Sequence, residues 1–203
     1  MDFNTLGVAM GSAWLSGINL YAVVLTLGLL QRWDLAHLPG DLGTLSHTWI
    51  LVTAACLCAL EFIADKIPAI DSVWDMIHTF IRVPAGAVLA TAAFANFSPD
   101  IRALAFLIGG GIALSSHSAK AATRLAANTS PEPFSNVLLS LTGDAIAVGG
   151  SVLAAWHPVV LVTVVLAAVV LSVILCRWIY RRLTKLFRQP RNPSDTRVEQ
   201  LRT

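Results

Sequence analysis

Charge is what this chain has least of. Only 13% of its 203 residues are Asp, Glu, Lys or Arg, about half the share usual in soluble domains, whereas 56% are hydrophobic. That balance points to lipid as the solvent. Cysteine is scarce too. Cys56, Cys58 and Cys176 lie in apolar segments, and Cys56 and Cys58 face different sides of a helix. They read as packing thiols, neither a disulfide framework nor a thiolate metal site. No Walker A, GxGxxG, GxSxG or CxxC motif occurs, so nucleotide hydrolysis and common redox chemistry have no support. The sequence leaves any cofactor unknown, and no nucleic-acid partner is expected. The opening "MDFNTLGVAM" has no basic stretch and carries Asp2, which argues against a cleaved signal peptide.

What the chain does have is long apolar runs. Pro158 to Cys176 is nineteen residues without an ionisable group, the length that crosses a hydrocarbon core of roughly 30 Å. The fold class expected is an all-α polytopic membrane protein. Helical segments are expected at about 5–30, 48–67, 71–97, 101–128, 131–156 and 158–184, and a broken or re-entrant helix is an open alternative at Pro84, Gly109–Gly111 or Pro131/Pro133. Residues 1–186 form the membrane domain, and 187–203 read as a polar, disordered tail. Eight of the fourteen Lys and Arg fall from Arg177 onward. A basic stretch after the last span marks the cytoplasmic side of a bacterial inner membrane and touches anionic lipid. If all six segments cross, both termini share that side. Helices 2–3 and 4–5 have a similar layout, which suggests duplication.

The charges are not scattered. "EFIADKIPAIDSVWDMIHTFIR", residues 61–82, holds Glu61, Asp65, Lys66, Asp71, Asp75, His78 and Arg82. Asp71, Asp75, His78 and Arg82 are spaced i, i+4, i+7 and i+11, within an arc of about 60° on a helix, with Val73, Ile77 and Phe80 opposite. Glu61 and Asp65 make a second i, i+4 pair, and Pro68 turns the chain so that the two acidic ends face each other. His117, Lys120 and Arg124 share one side of the fourth helix, followed by Asn128. The fifth adds Glu132, Asn136 and Asp144. Helix 1 carries a polar stripe (Thr5, Ser12, Ser16, Asn19, Thr26) beside Gly11 and Gly17, which suits close helix packing.

A plain reading makes these solvated turns held by ion pairs. Accumulation argues otherwise. Each charge left in hydrocarbon costs at least about 2.5–3.5 kcal/mol, so six acids, four bases and two histidines among helices 2–5 are better explained by a hydrated site. Within it, Asp65 or Asp71 is expected to pair with Lys120 or Arg124, and Lys66 to snorkel to water. Asp144 is expected either to function alone or to pair with Lys120 or Arg124. His78 is a proton acceptor, a metal ligand, or simply a partner of Asp75 or Asp71. Trp49 and Trp74 read as interfacial anchors. A divalent-metal site from Glu61, Asp65, Asp71, Asp75 and His78 is the weaker alternative, since no HExxH-type spacing occurs and the cations Lys66 and Arg82 sit among the candidate ligands.

Three strings, "SGINLYAVVLTLGLL" (16–30), "EFIADKIPAIDSVWDMIHTFIRVPAGA" (61–87) and "HSAKAATRLAANTSPEPFSN" (117–136), resemble the bacterial membrane family DUF4126 over roughly residues 6–157. The family has no assigned activity, so the resemblance implies motif positions alone. They fall on Asn19, Glu61, Asp65, Lys66, Asp71, Trp74, Asp75, His78, Arg82, Lys120, Arg124, Asn128, Ser130, Glu132 and Asn136. The function expected is a small transporter or channel-like protein for a small ion or polar solute, coupled to protons through Asp75, His78 or Asp144. The alternative is a membrane enzyme or translocase acting on lipid headgroups. Membrane lipids are expected partners, and a homo-oligomer is compatible with the sequence.

Overall fold

The computed structural model describes residues 3–127 and 133–187, without the side chains of 68, 69, 71, 72, 133, 134, 183 and 185–187. The described chain is helical throughout, with no strands. Its helices are α1 (Phe3–Arg32), α2 (Thr48–Ala64), α3 (Pro68–Ala93), α4 (Pro99–Ala127), α5 (Pro133–Trp156) and α6 (Pro158–Phe187), plus a 3-10 turn at Gly40–Ser46. Pro68, Pro99 and Pro158 each open a helix, where a missing N–H costs nothing. Pro84 sits inside α3 without ending it. Five helices are long and apolar enough to cross a membrane, and the Gly40–Ser46 turn with α2 makes a further bent pair. This is a multi-pass membrane protein. The tail from 188 lies outside the described residues.

The break comes where the sequence reading put none. Asn19, inside α1, has φ −147° and ψ 96°, far from helical values. A continuous helix would hold Gly7 and Arg32 about 37 Å apart at 1.5 Å per residue. Instead Gly7 packs on the Pro158 backbone, and Trp156 Nε1 donates to Leu35 O at 3.2 Å, so both ends of α1 meet the same α5–α6 corner. Residues 3–18 run antiparallel to α5, with Gly11 near Ala154 and Ile18 near Gly143. Residues 20–32 run back along α2 and α3, with Tyr21 on His78 and Gly28 against Leu45 and Leu51. Thus α1 is itself a helical hairpin bent at Asn19.

Three hairpins follow one plan: the two arms of α1, then α2–α3, then α4–α5. The Asn19 bend, the turn between α2 and α3, and the described ends of α4 at Ala127 and α5 at Pro133 lie at one end of the molecule, here the bend end. Residues 33–47, 94–98 and 157 lie at the opposite, loop end. There Gly40 (φ +60°) fits under the Ala92 and Ala93 carbonyls, where a side chain would be both strained and blocked. Helix α6 starts at the loop end beside Gly7 and runs to the bend end. The start of α1 and the end of α6 therefore lie at opposite ends.

Helix α1 is also the centre of the bundle, packed by α3, α4, α5, α6 and α2, while α4 and α5 barely meet. Thr5, Ser12, Ser16 and Asn19 are all buried along it. Gly17 lets α4 press close: a Cβ there would strike the Ala113 carbonyl and Ser116. Helix α1 thus joins helices 2–5 around the centre.

Candidate functional site: a buried ionic network at the bend end

Local sequence sets the ligand directions. Along α3, Asp75, His78 and Arg82 share one face and are 6%, 3% and 0% exposed, while Val73, Ile77 and Phe80 on the other face are 51%, 50% and 80% exposed. The predicted arc is therefore the inward face. Glu61 and Asp65 at the end of α2 are fully buried against it. Helix α4 supplies His117, Lys120 and Arg124 from its last turns.

These side chains form one network. Glu61 Oε1 accepts from Arg82 Nη2 and, at 3.3 Å, from Lys120 Nζ. Arg82 Nη1 donates to Asp75 Oδ1 at 3.3 Å. Arg124 grips Asp65 with two donors, Nη2 to Oδ2 at 2.7 Å and Nη1 to Oδ1 at 3.2 Å, and reaches Asp75 Oδ2 at 3.4 Å. Lys120 Nζ also lies 3.5 Å from Asp65 Oδ2. Three carboxylates meet three cations, none with more than 11% of its side chain exposed. Solvated turns would not look like this. Asp65 lies past the end of α2: burial pushes its carboxyl up, but Lys120 and Arg124 outweigh that and hold it below the usual carboxylate range. Arg82 is eleven residues from the end of α3 at Ala93, about 17 Å at 1.5 Å per residue, so the network reaches deep into a core roughly 30 Å thick.

The histidines extend it. His78 Nδ1 faces Trp74 O at 2.8 Å, an acceptor only, so in the neutral ring Nε2 accepts from Tyr21 Oη at 3.0 Å. His117 Nδ1 faces an Arg82 donor at 3.4 Å, so Nε2 donates to Thr79 Oγ1 at 2.7 Å, and Thr79 in turn donates to Asp75 O. Among the described side chains His78 pairs with Tyr21 and not with Asp75, and Trp74 stacks on it at 4.4 Å instead of anchoring at an interface. Trp49 stays exposed at the loop end.

The α1 bend docks into this network. Asn19 Oδ1 accepts from Ala22 N at 2.9 Å, capping the second arm, and Asn19 Nδ2 donates to Asp144 Oδ1 at 2.8 Å. Lys120 Nζ caps the first arm at Ile18 O, 2.9 Å away. Asp144 therefore meets Asn19, not Lys120 or Arg124. Lys66 turns outward to Phe62 O at 2.9 Å. Asn136 is buried on α5, eight residues before Asp144. Asn128, Ser130 and Glu132 lie outside the described residues, and the side chain of Asp71 is not described. No group of three or more His, Cys, Asp or Glu among the described residues is placed to hold a metal. Beside Lys120 and Arg124, a cavity of about 190 Å³ opens between α1, α4 and α5, lined also by Trp14, Ile18, Thr123 and Thr142.

Sequence reasoning missed Tyr21, Thr79 and the cap by Asn19. The one signal was Asn19 itself, a residue that favours caps over helix interiors.

A family model described as a domain of unknown function, DUF4126, matches residues 6–178. The chain belongs to this family. The DUF4126 match takes in most of α6, beyond the limit at 157 that the resemblance implied. The described parts of the three strings that carried the resemblance, 16–30, 61–87 and 117–127 with 133–136, include the Asn19 bend, the turn between α2 and α3 and the ends of α4 and α5. No curated protein and no solved structure matches the chain.

Proposed function

We propose that this protein moves a small ion or polar solute across a membrane, with the bend-end network as its pathway. The observation that carries this reading is the helix broken at Asn19, its two cut ends capped by Lys120 and by Asn19 itself. Secondary transporters bind solutes where discontinuous helices expose backbone groups beside charged side chains. A ladder of charges from Arg82, deep in the bundle, to Asp65 and Arg124 nearer its end supplies a polar route. The bend end faces the cytoplasm of a bacterial inner membrane, since Lys66, Lys120, Arg124, Arg177, Arg181 and Arg182 gather there against Arg32 and Arg102 at the loop end.

Flux of ion and solute panels into proteoliposomes tests the reading. Wild-type protein should carry at least one member of the panel, and Asp75→Asn or Lys120→Ala should abolish that flux. A second reading, handling of lipid headgroups, draws on the cavity between α4 and α5 beside Lys120 and Arg124. Lipid flipping or turnover without solute flux would favour it.

A further inference from the structure

One acid stands apart from the ionic network. The network's ion pairs join Arg82, Lys120 and Arg124 to Glu61, Asp65 and Asp75, and among the described residues none reaches Asp144. Lys120, which caps the neighbouring Ile18 O, turns its other contacts to Glu61 and Asp65. Asp144 Oδ1 accepts from the uncharged amide of Asn19 at 2.8 Å, and its buried Oδ2 has no partner among the described residues. An ionised carboxylate held in the interior by one amide alone is costly, because nothing offsets its charge.

A second oxygen is left over beside it. Ser140 lies one turn before Asp144 on α5, and side chains at that spacing stand about 5–6 Å apart between Cβ atoms. Ser140 is 1% exposed, and its Oγ also has no partner among the described residues. Further along α5 the buried Ser151 returns its hydroxyl to Ala147 O, one turn back, at 2.7 Å. Ser140 does not. A carboxylate oxygen and a hydroxyl oxygen, each with open lone pairs, therefore occupy neighbouring turns of one helix. They lie where the first arm of α1 ends, and a helix end presents its last carbonyls and the negative pole of its dipole. Asp144 is about 17 Å from either end of α5 at 1.5 Å per residue, near the middle of the span.

Open oxygens suit a hard cation. One carboxylate with neutral oxygens balances a single positive charge, whereas divalent ions draw several carboxylates. Where transporters have discontinuous helices, half-helix C-terminal ends and unwound carbonyls coordinate the coupling cation. We propose that Asp144 Oδ2 and Ser140 Oγ hold one alkali cation at the α1 bend. The same carboxylate then bonds Asn19 through Oδ1 and the cation through Oδ2, which ties ion binding to the residue that breaks α1. Binding stands apart from the transport reading; coupled movement of the ion rests on it.

Thermal melts in detergent test the binding, with lithium, sodium or potassium chloride replacing choline chloride at constant ionic strength. The preferred ion should raise the wild-type midpoint progressively with its concentration. Asp144→Asn should melt alike in all four salts, and Ser140→Ala should need several-fold more ion for the same rise. If Asp144→Asn fails to fold, Ser140→Ala, which keeps the acid, carries the test. A wild-type midpoint equal in all four salts, or a rise that survives intact in both variants, overturns the site. A pH dependence that Asp144→Asn removes, with no response to any alkali ion, means that Oδ2 takes a proton instead and also overturns it. Proteoliposomes read movement separately: uptake of the preferred ion should appear with wild type and fall with Ser140→Ala. Alkali-dependent melting without flux of any ion or solute leaves the site standing and removes transport. Solute flux with melts indifferent to alkali ions leaves transport standing and removes the site.

Discussion

At the scale of single residues, the network predicts sharp asymmetry between neighbours of like charge. Removing Arg124 takes two donors from Asp65 and leaves it only Lys120 at 3.5 Å. Arg124→Ala should destabilise the protein in detergent by about 3–5 kcal/mol, the range for breaking one side of a buried pair. Asp65→Asn added to that variant should recover part of the loss, since the stranded charge goes with it. Lys66→Ala should cost under about 1 kcal/mol because its ammonium caps an exposed carbonyl. Thermal or denaturant melts of wild type, these three variants and Asp65→Asn alone check this, and strictly additive losses would mean the pair is not coupled. Asp65 also gives a pH dependence. Its folded-state value is depressed, so its contribution is fully present above the unfolded carboxylate value near 3.9 and is lost as pH falls through the lower, folded value. The acid limb of the wild-type melting profile should accordingly flatten in Asp65→Asn. These positions were legible in the sequence because charges stand out in an apolar chain and the helical period alone put Asp75, His78 and Arg82 on one face. Who pairs with whom was not legible. Asp144 looked like a partner for Lys120, and only the path of α1 puts Asn19 between α4 and α5.

At the scale of elements, α1 is the test case. Its sequence is evenly apolar and long enough for one crossing, with no proline or loop to mark the bend. A reversal made by one extended residue leaves almost no trace in periodicity, whereas α2 to α6 were readable from proline starts and apolar runs to within a few residues. The hairpin makes a direct prediction. Spin labels at Phe3 and Arg32 would be about 44 Å apart on a straight helix. They should be well under 30 Å apart here, as both arm ends meet the Trp156–Pro158 corner; a separation near the straight-helix value rules the hairpin out. Asn19→Ala should cost about 1 kcal/mol by removing the cap of the second arm, and hydrogen exchange should quicken first at Leu20 to Val23. Gly17→Leu should be worse, because α4 has no room to retreat from the bend.

For the molecule as a whole, three hairpins and a final helix set the ends of the described chain on opposite sides. Reporter fusions that fluoresce only in the cytoplasm, joined before α1 and after α6, should light up at the second position and stay dark at the first. Equal signals would restore a six-crossing path. The similar layout of α2–α3 and α4–α5 is joined, in space, by the two arms of α1, and the described ends of all three pairs meet at the bend end. That arrangement bears on biosynthesis. The α2–α3 hairpin brings three network acids and one base, and α4 brings the two remaining bases. Translation therefore delivers a hairpin with three network acids and one base before the two bases that complete its neutralisation exist. It must wait, half inserted or held by the insertion machinery, until α4 emerges. A ribosome stalled after α3 should leave a chain that the cell's quality-control proteases find first.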